Sequence, residues 1–219
     1  GLSYVGGRIQ RPLTETELKL LTWSGQNKLW STAVTLSTPA LSSQLAVKPK
    51  SVGVHLKRDR LNAKPTSTFG RVLHYITDTF HLQCPALWAY TSPNHSTVTP
   101  IILDELGLGI SESIIASQSI ENMVIHLTYG LYISQPGTWL ASLSPLEDNQ
   151  RRLARLNEAL QVIYSGNPSR DPSLISWVNA LSTLPRDHLN QIRQMGALTE
   201  GADWIRAIEQ TAYRSALLL

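Results

Sequence analysis

Six histidines and a single cysteine are the side chains from which this chain could build metal or nucleophilic chemistry. A zinc peptidase helix needs two imidazoles one helical turn apart, so that both reach one ion, with a glutamate beside them as general base. The histidines are His55, His74, His81, His95, His126 and His188, and none has a partner four residues on. His74 and His81 are seven apart, about 10 Å along a helix axis, too far to share an ion directly. His126 stands alone on an apolar stretch and is expected to be a core residue. Cys84 precedes Pro85 with nothing local to lower its pKa, so a buried structural thiol is expected. Neither Gly-x-Ser-x-Gly nor a phosphate loop occurs. Lys48, Lys50, Lys57, Arg58, Arg60 and Lys64 crowd one short region, opposed only by Asp59. Such a run could hold nucleic acid or an acidic partner. No aromatic-rich nucleic-acid motif accompanies it, and a solvated loop is the expectation.

The chain around these residues has 219 residues, 42% hydrophobic and 16% charged, with net charge +3. That is enough for a sizeable core, and the charged fraction is below the roughly one quarter usual in soluble domains. Positions 122–146 carry no Asp, Glu, Lys or Arg, but Gln135, Pro136, Gly137 and several hydroxyl residues interrupt them. A buried helix or an apolar contact is expected there, and no membrane span. One cysteine allows no intrachain disulfide, which fits a reducing cytosol, so a cytoplasmic location is expected. No signal peptide is visible at the start. The last residues, Ala216 to Leu219, lack a helix stop signal, and the expectation is a fragment of a longer chain.

The helices are marked by their caps. Thr14 with Glu17 forms a capping box, with Leu13 and Leu18 as its hydrophobic staple; the helix is expected to pass Trp30 and run to the Ser-Thr-Pro at 37–39. A short extended piece is expected at 52–56. Thr66 or Ser67 can cap a second helix whose inner face is Phe69, Val72, Leu73, Ile76 and Phe80. The period then shortens. Residues 86–92 and 96–103 read as strands around a Pro93-Asn94 turn, residues 106–117 offer a third, and Pro100 belongs on an edge or at a bulge. Beyond Ser119 everything reads as helix. Ser144-Pro145-Leu146-Glu147 is a start signal, Leu153, Leu156, Leu160 and Ile163 face one way, and Asp171-Pro172 opens a helix lined by Ile175, Val178 and Leu181. Pro185 starts a short one, and Thr199 caps the last, which carries Trp204, Ile208 and Tyr213. The expected fold is α+β and mainly helical, with a two- or three-stranded sheet between an N-terminal helix pair and a C-terminal run of helices.

This order of elements resembles the core of gluzincin metallopeptidases of the HtpX and CAAX-prenyl-endopeptidase kind. The segment FGRVLHYITDTFHLQCPALWAYTS is similar to that family's helix and first strand, SQSIENMVIHLTYGLYIS to its zinc helix, and WIRAIEQTAYRSALLL to the helix that gives the third ligand. The resemblance covers about residues 50–219 and implies a zincin-like core. It is also similar to degenerate domains in large bacterial proteins of the myxobacterial type. Carried over by position, Thr128 and Tyr132 stand where the two zinc histidines would be, and Tyr129 stands in place of the general base. Glu209 matches the third ligand, and Tyr213 replaces the aspartate after it. One carboxylate cannot hold a catalytic zinc and activate its water.

The domain expectation is therefore a helical extension at 1–50 and a degenerate metallopeptidase-like domain at 51–219. Its function would be a non-catalytic module for protein interaction or structure in a larger bacterial protein, with no catalytic residue, metal or cofactor. A protein partner, other domains of the same chain or a second copy would be its contacts. Two alternatives stay open: an enzyme of unrecognised type using Glu209, His126 and the tyrosines beside the central helix, and a nucleic-acid module using 48–64. Thr128 and Tyr132 are expected on one helix face, with their hydroxyls hydrogen-bonded to the Glu209 carboxylate.

Overall fold

The computed structural model describes residues 4–5, 8–9, 11–22, 28–90, 98–117, 119–143, 148–196, 198 and 201–219. Two short strands, β1 (Tyr4–Val5) and β2 (Arg8–Ile9), pair antiparallel. Helices α1 (Glu15–Leu21), α2 (Lys28–Leu45) and α3 (Thr68–Phe80) follow. The sheet is built from β3 (Ala86–Tyr90), β4 (Val98–Ile102) and β5 (Leu106–Ser111). Then come α4 (Glu112–Ile115), α5 (Ile120–Ile133), α6 (Asn149–Ser165), α7 (Pro172–Leu181), α8 (Arg186–Gln194) and α9 (Gly201–Leu218). The fold is α+β, mostly helical, with one three-stranded sheet.

Several caps lie where the residue types place them. The Thr14–Glu17 capping box is formed on both sides. Ser67 accepts from the Gly70 amide at the start of α3, and Asp171 accepts from the Ser173 amide ahead of Pro172. The start signal at 144–147, the Pro93-Asn94 turn and Thr199 lie outside the described residues. Four expectations needed correction. The first helix is two, since α1 closes at Thr22 and α2 begins at Lys28. Pro39 lies inside α2 rather than ending it. The Thr38 hydroxyl there donates to the Val34 carbonyl and accepts from the Trp139 indole, tying that turn into the core. In α7 the inner face is Leu174, Trp177 and Leu181, whereas Ile175 is 39% exposed; the face is set by which side meets α2 and α6. The extended piece expected at 52–56 is instead a 3-10 turn at Pro49–Val52 followed by further turns.

The sheet order is β3-β5-β4, with β3 parallel and β4 antiparallel to the central β5. Pro100 lies on β4, an edge strand, where a missing amide costs no ladder bond on the open side. Alternation gives the sheet two faces. Leu87, Val98, Leu108 and Ile110 join α3, α4 and α5 in one apolar cluster. Trp88, Ile101 and Leu103 join Val54 on the other face. β5 contributes Gly107 there, because a Cβ at that position would come within 2.1 Å of the Trp88 ring.

A second, larger cluster unites α2 with α6, α7 and α9. Helix α2 thus shares a core with the C-terminal helices, through Trp30, Ala33, Val34 and Leu41. Helix α5 stands between the two clusters. Met123, Val124, Leu127 and Leu131 face the sheet side, and Tyr129, Tyr132 and Ile133 face the helical side. Burial on both sides is why α5 has almost no charge. Asn122 and Ile125 are nevertheless exposed, so the burial expected for the uncharged stretch is incomplete at its start.

Candidate functional site

Helix α5 packs on α9 along much of its length. Leu218 and Leu219 lie against the cluster that holds Met123 and Val124, while Trp204 and Ile208 share a cluster with Tyr132 and Ile133. The two helices therefore run antiparallel. At their crossing the rings of Tyr129 and Tyr213 meet, with centroids 4.8 Å apart and planes tilted by 38°. Glu209 lies one turn before Tyr213 on α9 and is half-buried. Burial pushes the Tyr129 hydroxyl well above the ordinary phenol range, and the nearby Tyr213 and Glu209 push it further. Burial likewise raises the Glu209 carboxyl, and no ion pair holds it among the described residues.

The structure thus gathers Tyr129, Tyr213 and Glu209, but not in the arrangement expected for Thr128. The Thr128 side chain is fully buried and its Oγ1 has no hydrogen-bond partner. It does not hold the Glu209 carboxylate. Adjacent helix positions are turned by about 100°, so once Tyr129 faces α9 its neighbour Thr128 must point elsewhere. Tyr132 is half-buried against the helical cluster. These donors do not suit zinc: a buried threonine hydroxyl, a phenol and one carboxylate offer neither imidazole nor thiolate. No group of three His, Cys, Asp or Glu able to hold a metal occurs among the described residues.

A half-buried carboxylate with no ion pair among the described residues is a stability liability at neutral pH. Its folded pKa lies above the unfolded one, so its favourable contribution is complete below the unfolded pKa and lost as pH rises through the folded pKa. Glu209→Gln is therefore expected to melt slightly higher than the parent at pH 7 and equally at about pH 4. Thermal melts at both pH values check this, and a lower midpoint for the variant at pH 7 would show that the charge has a partner.

The other candidate residues lie apart from this group. The basic stretch is not a free loop. The Leu61 amide donates to the Leu87 carbonyl and the Ala89 amide to the Asp59 carbonyl, pinning 59–61 along the outer edge of β3. Arg58 pairs with Asp59 at 2.7 Å, and Arg60 pairs with Glu105 at 2.7 Å while lying over the Trp88 ring. Lys48, Lys50, Lys57 and Lys64 are exposed, with no ion pair among the described residues. Of the six basic residues, the two arginines are thus engaged locally, and the four lysines make no ion pair among the described residues. Cys84 corrects another expectation, because it is exposed in the segment between α3 and β3. Its thiol pKa is nonetheless raised by desolvation, the opposite of activation. His126 is half-buried rather than enclosed, and His81 caps α3 in the left-handed region with Nε2 2.9 Å from the Leu13 carbonyl.

One feature left almost no mark on the sequence. A cleft of about 180 Å³ opens between α6 and α8, lined by Ile163, Tyr164, Arg186, Leu189, Asn190 and Arg193. The seven-residue spacing of Arg186 and Arg193 was its only trace in the sequence. No helix among the described residues is long and apolar enough to cross a membrane. Comparison with protein-family models, with curated proteins and with solved structures found no match.

Proposed function

We propose that this chain is a non-catalytic module, a metallopeptidase-like domain whose former metal site has become a packed helix contact used in protein interaction. The observation that carries the proposal is the Tyr129–Tyr213 contact beside a lone Glu209. The resemblance puts the general base and the third ligand with its following acid at these positions, and ring packing has taken the place of ligand chemistry. The zincin-like core is part of the same proposal, supported by the order helix, small sheet, central helix and late helix.

The interaction half of the proposal rests on the outer side of the same seam. Steps of four residues place Ile125 beside Tyr129 on α5 and Leu217 beside Tyr213 on α9. Ile125 is 42%, Tyr213 55% and Leu217 79% exposed. Because the helices are antiparallel, these side chains fall along one apolar strip. Isolated exposed apolar residues are ordinary, whereas a contiguous strip is the usual mark of a contact surface.

Metal content and hydrolysis test the proposal together. After dialysis against zinc and then buffer, the purified chain is expected to keep far less than one zinc per molecule and to leave denatured casein uncut. Retention of stoichiometric zinc, or hydrolysis that a chelator stops, would overturn it.

A further inference from the structure

We propose that the cleft between α6 and α8 binds an acidic peptide segment, seating one large aliphatic side chain between two carboxylates. This goes beyond the α5–α9 reading and stands or falls separately from it. The cleft walls are Ile163 and Tyr164 from α6, and Arg186, Leu189, Asn190 and Arg193 from α8. Its volume of about 180 Å³ is below the roughly 300–1,000 Å³ of sites that enclose a cofactor or a drug-sized ligand. One side chain fills it, and a nucleotide would leave most of its surface outside.

The charge at the cleft has one sign. Arg186 and Arg193 are both exposed, two helical turns apart on α8, and among the described residues no carboxylate lines the space between them. Neither guanidinium makes an ion pair among the described residues. Arg186 occupies the first helical position of α8, where the helix dipole disfavours a cation. Pro185 before it gives no side-chain cap, so the amides of that first turn stay open; Asp187 in the same turn lies outside the lining of the cleft and offsets only part of their positive field.

The floor is preformed. The Tyr164 hydroxyl donates to the Leu189 carbonyl at 3.1 Å, fixing the ring between the two helices. Arg193 lies over that ring at 5.7 Å, an arrangement that orients the guanidinium while leaving its N–H edges for a carboxylate. Asn190 sits between the arginines and can pair with a peptide group. An apolar socket flanked by two guanidinium groups that make no ion pair among the described residues matches an acidic segment carrying a leucine, through charge complementarity and burial together.

The test is an amide NMR titration of the full chain with acetyl-Glu-Glu-Leu-Glu-Glu-amide. Saturable shifts are expected at 163–164 and 186–193 and to be absent from the α5–α9 seam. Arg186→Glu combined with Arg193→Glu should weaken binding by about tenfold or more, as loss and reversal of two exposed charge pairs implies. If that variant fails to fold, the peptide with serine for leucine probes the parent protein, and weaker binding is again expected. Undiminished binding of the serine peptide, no saturable shifts, or displacement of the peptide by an equal concentration of inorganic phosphate would each overturn the proposal. The last result would leave a generic anion site.

Discussion

Gly130→Val is expected to destabilise the protein by about 3 kcal/mol or more, at the upper end of overpacking effects. Gly130 lies inside α5 at the start of its last turn, and glycine within a helix costs about 1 kcal/mol relative to alanine. It is kept because the helix presses directly on the sheet. A Cβ there would come within 2.1 Å of Val98 Cγ1, 3.0 Å of Val98 Cβ and 3.3 Å of Leu108 Cδ2. Val98 and Leu108 are both buried and cannot swing into solvent. Gly130→Ala sets the propensity gain against the clash, and a net loss is expected because overpacking costs about 1–3 kcal/mol. Combining Gly130→Ala with Val98→Ala should recover stability relative to the simple sum of the two losses. Denaturant unfolding of the four proteins checks this, and strict additivity would show that the helix does not rest on Val98.

Trp204→Ala should cost about 3–5 kcal/mol, the range for removing a fully buried aromatic side chain. Trp204 is inaccessible to solvent, stacks on Trp30 with centroids 5.8 Å apart, and its indole donates to the Ser31 hydroxyl at 3.1 Å. The contact joins α9 to α2, elements far apart in sequence, so the loss falls on the larger core. For a chain of this length each kcal/mol lowers the melting midpoint by roughly 2–4 °C, and a fall on the order of 10 °C is expected. Trp204→Phe keeps most of the stacking and should lose clearly less. Calorimetry distinguishes them, and equal losses would mean that the Ser31 hydrogen bond outweighs the packing.

Both predictions depend on contacts between distant segments, and such contacts divide what was legible in the sequence from what was not. The capping box at Thr14, the Ser67 cap and the Asp171-Pro172 start follow from hydrogen bonds that a few neighbouring residues make among themselves. The inner face of α3 is equally local, since Phe69, Val72, Leu73, Ile76 and Phe80 repeat at the helical period and all are buried. Pro39 was misread because its preference to end a helix is a local term, overridden here by packing of α2 in the larger core.

The candidate site shows the same division more sharply. Sequence by itself determined which side chains are available at positions 128, 129, 132, 209 and 213: hydroxyls and one carboxylate, with no imidazole pair. It also fixed the four-residue steps that put Ile125 with Tyr129 and Glu209 with Tyr213 on common helix faces, because those steps are properties of a helix alone. Only the tertiary structure decided that Tyr129 rather than Thr128 meets Glu209 and Tyr213, since that depends on how α5 is rotated about its axis. The rotation is set by Gly130 against Val98 on one side and by the α9 contact on the other. The same holds for the basic stretch, where Asp59 is a sequence neighbour of Arg58 but Glu105 reaches Arg60 only across the fold. Arg186 and Arg193 likewise become a cleft only when α6 lays Ile163 and Tyr164 against α8. Local chemistry chose the side chains, and long-range packing chose their neighbours.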